Sequence, residues 1–358
     1  MQASKRFVAY KEFLSKAGVP AFRFNQIIDS IFKQRKDTFD SMINLPASTR
    51  TQLKENFGNN ILSLSTVSLD ESKQVEKAMF AVNGGHNIES VLMKFRSGNQ
   101  SLCISSQSGC ALACNFCATG AIGFKRNLTA DEIVDQVLFF KLRNEPIDNI
   151  TFMGMGEPLQ NPNCFKALRI LTDPKLFNMS PRRLSVSTVG IIPGIRKLTE
   201  EFPQVNLAFS LHSPFEEQRN ILVPINKSHP FQEVFEALDD HLRATNRKIF
   251  IAYLVLDGHN DSEEHAEAVA NWVYHKRPKS IRHLYHMNLL RMNPITIGEG
   301  QKYTKTDDGN INRFYQSLVD YGVQNITIRH PFGVDMDAAC GQLFANYEAK
   351  KLRKFSKS

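Results

Sequence analysis

Long hydrophobic runs are absent from this chain of 358 residues. The longest, residues 249–256, falls far short of the roughly 20 apolar residues that a membrane span needs, so no transmembrane helix is expected. The N-terminus holds Lys5, Arg6 and Lys11 but no apolar stretch and no small-residue cleavage site, which argues against a secretory signal and for a cytoplasmic protein. Glycine (19) and proline (15) are spread thinly, and 22% charged residues stand against 42% hydrophobic ones, so collagen-like, disordered and coiled-coil chains are excluded. The single tryptophan, Trp272, sits in a helical pattern and reads as core. Cysteine is also scarce: six in a chain of this length are too few for a disulfide scaffold. What remains is a globular chain with length for about two domains.

Basic residues are what the chain has in excess. Lys and Arg number 44 against 36 Asp and Glu, a net charge of +8, and they thicken at the end in Lys350, Lys351, Arg353, Lys354 and Lys357. A polyanionic partner fits this balance, because Lys and Arg gain affinity by displacing counterions from phosphates. Candidate phosphate contacts are Arg23, Lys33, Arg35 and Lys36, with Lys125, Arg126, Arg182 and Arg183 expected near a barrel mouth.

Residues 24–33 and 49–57 carry apolar positions at helical spacing, with Pro46 marking a turn, and residues 75–82 and 89–95 read as strands. Beyond residue 101 the pattern becomes strand, loop, helix, repeated. Candidate strands cover 102–106, 149–153, 184–188, 205–211, 249–256, 285–290 and 325–329, several of them apolar on both faces as buried parallel strands are. Helices fit 165–171, 231–244 and 262–275, and Thr129 with Glu132 three residues on reads as a capping box, with Leu128 and Ile133 as a staple. Such alternation predicts a βα barrel or open parallel sheet, and most of the unusual motifs fall at strand C-termini, the active-site face of a barrel.

Four of the six cysteines, Cys103, Cys110, Cys114 and Cys117, lie within fifteen residues. The last three form a C-x3-C-x2-C loop, which can hold three irons of a 4Fe-4S cube and leave the fourth open. Zinc sites use C-x2-C pairs and four ligands, and no matching pair follows. Cys164 matches no motif and reads as structural.

This loop, with Phe116 before the third cysteine, resembles the radical S-adenosylmethionine (SAM) signature. Gly154-Met155-Gly156-Glu157 at the end of the next strand is similar to that superfamily's GGE motif. The resemblance narrows to the RlmN/Cfr family of rRNA adenine methyltransferases and spans essentially the whole chain, through Cys103-Ile104-Ser105-Ser106-Gln107, Ser185-Val186-Ser187-Thr188, Ser210-Leu211-His212, Pro224-Ile225-Asn226, Asn293-Pro294 and Asp337-Ala338-Ala339-Cys340-Gly341-Gln342-Leu343. It implies an α/β fold, a partial (βα)6 TIM-like radical SAM barrel over residues 99–345. An N-terminal helical RNA-binding accessory domain (1–70), short linking strands (71–98) and a basic tail (346–358) complete it.

The resemblance also implies one 4Fe-4S cluster on Cys110, Cys114 and Cys117. SAM, two equivalents per turnover, would be held by Gly156, Glu157, Ser187, Ser210, Leu211, His212 and Asn293. The C2 and C8 carbons of adenine are electron-poor and cannot attack a sulfonium methyl, so the methyl must travel by a radical route. Cys340 is methylated first, its methyl group then becomes a methylene radical that adds to the ring, Glu89 removes the ring proton, and Cys103 frees the product by forming a disulfide with Cys340. The substrate so implied is protein-free 23S rRNA with its adenosine splayed out, the reductant a donor such as flavodoxin, and the enzyme a monomer away from membranes. The run 327–337 with Phe332-Gly333 resembles the Cfr-type branch, which methylates C8 and confers resistance to peptidyl transferase centre antibiotics. Pro158 after Glu157 departs from it toward the RlmN-type branch, which methylates C2 and in some cases tRNA. A radical SAM mutase or dehydrogenase and a non-catalytic iron-sulfur ribosome-binding protein are the readings from other classes.

Overall fold

A computed structural model of the chain describes residues 4–293 and 303–329. Cys340, Pro294, the run from His330 onward and the basic tail therefore lie outside the described residues. Three helices open the chain: α1 (Lys5–Lys16), α2 (Phe22–Phe32) and α3 (Ala47–Phe57). Ser4 caps α1 by accepting from the Phe7 amide at 3.2 Å. Phe7, Tyr10, Ile27, Ile31 and Leu53 bury one face of each helix in a common core, and Tyr10 meets Phe39 and Phe57 edge-on.

A meander follows, β1 (Ser65–Glu71), β2 (Val75–Val82) and β3 (His86–Lys94), and β3 runs antiparallel to β4 (Gln100–Cys103). These strands continue the barrel sheet rather than forming a separate one. After β4 come the short ribbon β5 (Gln107–Ser108) and β6 (Arg126–Asn127) with α4 (Ala118–Ile122) between them, then α5 (Ala130–Leu142). The chain then alternates: β7 (Asn149–Phe152), α6 (Pro162–Thr172), β8 (Leu184–Thr188), α7 (Ile192–Glu201), β9 (Asn206–Ser210), α8 (Glu216–Leu222), α9 (Phe231–Thr245) and β10 (Ile249–Val255). It closes with α10 (Glu263–Ala270), α11 (Lys279–Arg282), β11 (Tyr285–Arg291), α12 (Asp308–Asp320) and β12 (Ile326–Ile328).

Strands β4, β7, β8, β9, β10, β11 and β12 are parallel neighbours in sequence order, and among the described residues β1 and β12 form the two edges of an open barrel. Six strand-helix units with a short seventh strand agree with the partial barrel expected. Several strands carry runs of consecutive buried residues, as in β9 and β10, whereas β8 alternates, with Leu184, Val186 and Thr188 buried and Ser185 and Ser187 half-exposed. The outer face packs on helices through Leu102, Ile150, Val186, Phe209, Ile251 and Leu289. The inner face stays open because it lines the lumen of an incomplete barrel.

The helical segment is tied to the barrel by charge. Arg6 pairs with Asp135 of α5 at 2.6 Å, the Ser63 amide and hydroxyl donate to the same carboxylate at 2.7 and 2.6 Å, and the Ser4 hydroxyl donates to Asp131 at 2.6 Å. Arg182 and Arg183 directly precede β8, so they lie at the end of the barrel opposite the mouth, contrary to expectation. Arg126 does lie on the cysteine side, but its guanidinium is engaged by Glu132 at 2.6 and 2.9 Å and by the Asn83 carbonyl at 2.9 Å. No described helix is long and apolar enough to cross a membrane.

Candidate active site

The cysteine loop hangs on the ribbon that follows β4. Gly109 takes a positive φ of 70°, and a Cβ there would stand 1.9 Å from the Gly123 carbonyl oxygen, so the turn that launches the loop closes only around a bare backbone. The Asn115 amide donates to the Leu222 carbonyl at 3.0 Å, and Cys114 and Phe116 pack on Leu222, Val223, Leu254 and Leu256. Phe116 also meets the His212 ring edge-on, 4.8 Å between centroids.

Cys110, Cys114 and Cys117 are free and partly buried. Burial pushes the Cys110 thiol up to about 12 and the Cys114 thiol well above its ordinary value, and the neighbouring sulfurs and Glu157 add to the rise. Three thiolates so placed would require cationic charge among them, which iron would supply. Among the described residues no three Cys, His, Asp or Glu side chains converge on the position of a single ion. A cubane takes one thiolate per iron and needs no such convergence, so the donor set fits a cluster better than a lone zinc.

The Gly154–Glu157 segment lies against the run that follows Cys103. Ser106 and Gln107 amides donate to the Met155 carbonyl at 2.8 and 3.1 Å, and Gln107 Oε1 accepts from the Glu157 amide at 2.8 Å. Gly156, with φ of 95°, leaves room for Gln107, whose side chain would be 2.5 Å from any Cβ. Glu157 is buried, and its carboxylate accepts from the Leu159 and Val189 amides, each at 3.0 Å. Burial nevertheless raises it to about 7, and among the described residues it has no cationic partner. An ammonium brought against it would restore the charged form, which suits the amino end of SAM.

Ser187 and Ser210 are half-exposed on the lumen face of β8 and β9. Leu211 offers only backbone, for its side chain is fully buried. His212 has a left-handed φ of 62°. Its Nδ1 accepts from the Leu254 amide at 3.0 Å, which leaves the neutral ring with its proton on Nε2. Burial, reinforced by Arg219, lowers His212 to about 3, so it stays neutral at any working pH. Asn293 follows β11 at the same end of the barrel and is buried. Every one of these positions lies at or just past a strand C-terminus.

The expected base and thiol also come together. Val91 stands directly opposite Cys103 in the β3–β4 ladder, and Glu89, two residues along, shares its face. Glu89 is buried with Lys77 Nζ 3.7 Å from its carboxylate, and the Ser105 hydroxyl donates to its backbone carbonyl at 2.6 Å. Cys103 is buried, and Cys340, its expected exchange partner, lies outside the described residues. Cys164 is buried on α6, as a structural role requires.

Several residues escaped the sequence. Gln107 and Asn226 stood inside quoted runs without a role, while Lys77, Arg219 and Asn260 carried no local signal. Asn260 donates to the His212 and Leu254 carbonyls at 2.8 and 2.7 Å and holds the β9 and β10 ends together.

Comparison with known proteins places this geometry. Residues 104–269 match the radical SAM superfamily, and residues 8–58 match the ribosomal RNA large subunit methyltransferase N-terminal domain. The chain is 48% identical over 351 residues to the ribosomal RNA large subunit methyltransferase Cfr of Bacillus velezensis, covering 98% of this chain and 99% of the relative. It is 50% identical over 338 residues to the Cfr protein of Staphylococcus aureus, covering 94% and 96%. A solved radical SAM methyltransferase from Sphaerobacter thermophilus superposes with a TM-score of 0.86 at 36% identity, over 95% of this chain and 97% of the other. With identity at this level along both chains, and with the cysteine loop and the glycine-glutamate strand end in one barrel, the chain belongs to the Cfr family of ribosomal RNA large subunit methyltransferases, within the radical SAM superfamily.

Proposed function

We propose that this protein methylates C8 of one adenosine in 23S rRNA through an S-methylcysteine at Cys340. The observation that supports the cysteine route is that Glu89 and Cys103 lie on one face of β3 and β4, while the choice of C8 rests on the likeness to relatives named Cfr. A radical SAM dehydrogenase or mutase has no use for that pair, nor does a binding protein. Cys110, Cys114 and Cys117 would hold the 4Fe-4S cluster, which with SAM supplies a carbon-centred radical when bound.

The remaining work falls to the chain itself. The Cys340 thiolate attacks the methyl carbon of one SAM and releases S-adenosylhomocysteine, and a second SAM serves the radical step. Glu157, Gly156, Ser187, Ser210, Leu211, His212 and Asn293 surround the space in which SAM would lie, with Glu157 set for its ammonium and His212 Nε2–H as a fixed donor. Glu89, with Lys77 Nζ 3.7 Å from its carboxylate, takes the proton from the substituted ring carbon, and the one electron the radical adduct must lose would return to the cluster. The Cys103 thiolate then attacks the Cys340 sulfur, so that the carbon–sulfur bond breaks with its electron pair on the exocyclic carbon, which takes up a proton to become the methyl group, and a disulfide forms, to be reduced before the next turn. The accessory helices (1–70), linked through strands 71–98 to the barrel, would receive the rRNA together with the basic tail. A flavodoxin-type donor, monomeric state and cytoplasmic location accompany this reading.

The test is mass spectrometry of 23S rRNA from a host lacking its own enzyme of this family. A methyl at C8, with raised tolerance to peptidyl transferase centre antibiotics, is expected, and a methyl at C2 alone overturns the regiochemistry. Cys340→Ala should abolish methylation with cluster absorbance intact; turnover retained in that variant rules out the cysteine route.

A further inference from the structure

Arg219, on α8, is a buried charge for which the chemistry above has no use. Its side chain is fully buried, and its guanidinium is spread over backbone at the strand ends. Nε donates to the Leu211 carbonyl at 2.9 Å, and Nη2 to the Val189 and Ser210 carbonyls at 2.7 and 3.0 Å. Nη1 donates to Asn226 Oδ1. Asn226 is itself fully buried and aimed by three further bonds, from the Phe231 amide at 3.0 Å and to Glu216 and Asn220 at 2.6 and 2.8 Å. The guanidinium lies 5.1 Å from the centroid of the Phe209 ring.

All four acceptors are neutral. Among the described residues no carboxylate lies within ion-pair distance of Arg219; Glu216 reaches it only through Asn226. A buried cation without a counter-ion is costly, and neutral amide donors would clamp three carbonyls more cheaply. The Val223 amide donates to the Arg219 carbonyl at 2.7 Å, and Cys114 packs on the cluster of Leu222 and Val223, so the helix turn that carries Arg219 also seats Cys114. The same helix holds the cysteine loop through Leu222 and Asn115. A cluster on three thiolates becomes more negative when it takes up an electron, and nearby fixed charge is one of the factors that set its potential.

We infer that Arg219 is a positioning residue that locks the strand ends carrying Ser210 and Leu211 and sets a fixed positive charge beside Cys114, favouring the reduced cluster. Asn226 holds that charge in place, which accounts for the Pro224-Ile225-Asn226 run. This inference rests on Cys110, Cys114 and Cys117 being cluster ligands.

Its test is a redox titration of the anaerobically reconstituted full-length protein, followed by electron paramagnetic resonance, with iron and sulfide content measured in parallel. At the potential where the wild-type cluster is half reduced, Arg219→Met should lower the ratio of reduced to oxidised cluster about tenfold, whereas Arg219→Lys should stay within about twofold of wild type. Asn226→Asp keeps the arginine but sets a carboxylate against it, and should lower the ratio in the same direction even if the methionine variant does not fold. Equal potentials in wild type and Asn226→Asp, with full cluster content, overturn the inference alone. A wild-type protein that takes up no iron and sulfide overturns the cluster reading and this inference with it.

Discussion

His241 on α9 is fully buried, with Nδ1 2.8 Å from the Thr199 hydroxyl and Nε2 without a partner. Burial, with Arg247 adding, lowers it to about 4. In the unfolded chain the ring takes a proton near its ordinary value of 6.5, while the folded protein refuses it until about 4. Its contribution to stability is therefore complete above pH 6.5 and is lost as pH falls toward 4. His241→Asn, which keeps a polar partner for the Thr199 hydroxyl, should flatten the decline by about 1.4 kcal/mol per pH unit in that window, as read from urea unfolding at a series of pH values. At this scale the sequence spoke clearly for the thiols and for Gly156 and Glu157, whose spacing is itself the signal. It was silent on Arg219, Lys77 and Asn260, because each acts on groups brought to it from other elements.

Helix α5 shows how far local chemistry reaches. The Thr129 hydroxyl accepts from the Glu132 amide at 3.2 Å, and Glu132 accepts from the Thr129 amide at 2.9 Å, the capping box read from the sequence. Thr129→Ala should cost about 1 kcal/mol in denaturant unfolding and speed amide exchange in the first turn of α5. The effect would carry to the site, since Gln136 of the same helix donates to the Ser105 carbonyl at 2.9 Å and accepts its amide at 2.8 Å. Strands β2 and β8 have the bounds their alternation and composition indicated. Helix α7 was not expected, because it opens on Ile192, Pro193 and Gly194, a turn-like start that the full burial of Ile195 and Leu198 overrides. The helix expected over 262–275 ends as α10 and continues as a π-turn, Asn271–His275. That turn lays Trp272 against Phe231 and Phe235, with centroids 5.0 and 5.8 Å apart.

Over the whole molecule, the accessory helices and the barrel share one continuous core, and the Arg6–Asp135 pair lies at their junction. Asp135 is fully buried and the Arg6 side chain is 10% exposed, so Arg6→Ala would strand a charge. The expected loss is about 3–5 kcal/mol in urea unfolding, with amides of α1 exchanging before those of β8 and β9. An unchanged exchange order would show that the helices are held by apolar contact alone. The sequence by itself determined the alternation of strand and helix, the cluster motif and the family, since periodicity and spacing are local and survive without coordinates. Only the tertiary structure decided that Glu89 and Cys103 share a face, that Arg182 and Arg183 lie away from the mouth, and that Arg219 clamps the carbonyls at and past the ends of β8 and β9. Strand register, the direction of each parallel strand and burial arise from pairing between distant segments, and those pairings create the charge environment in which the chemistry would occur.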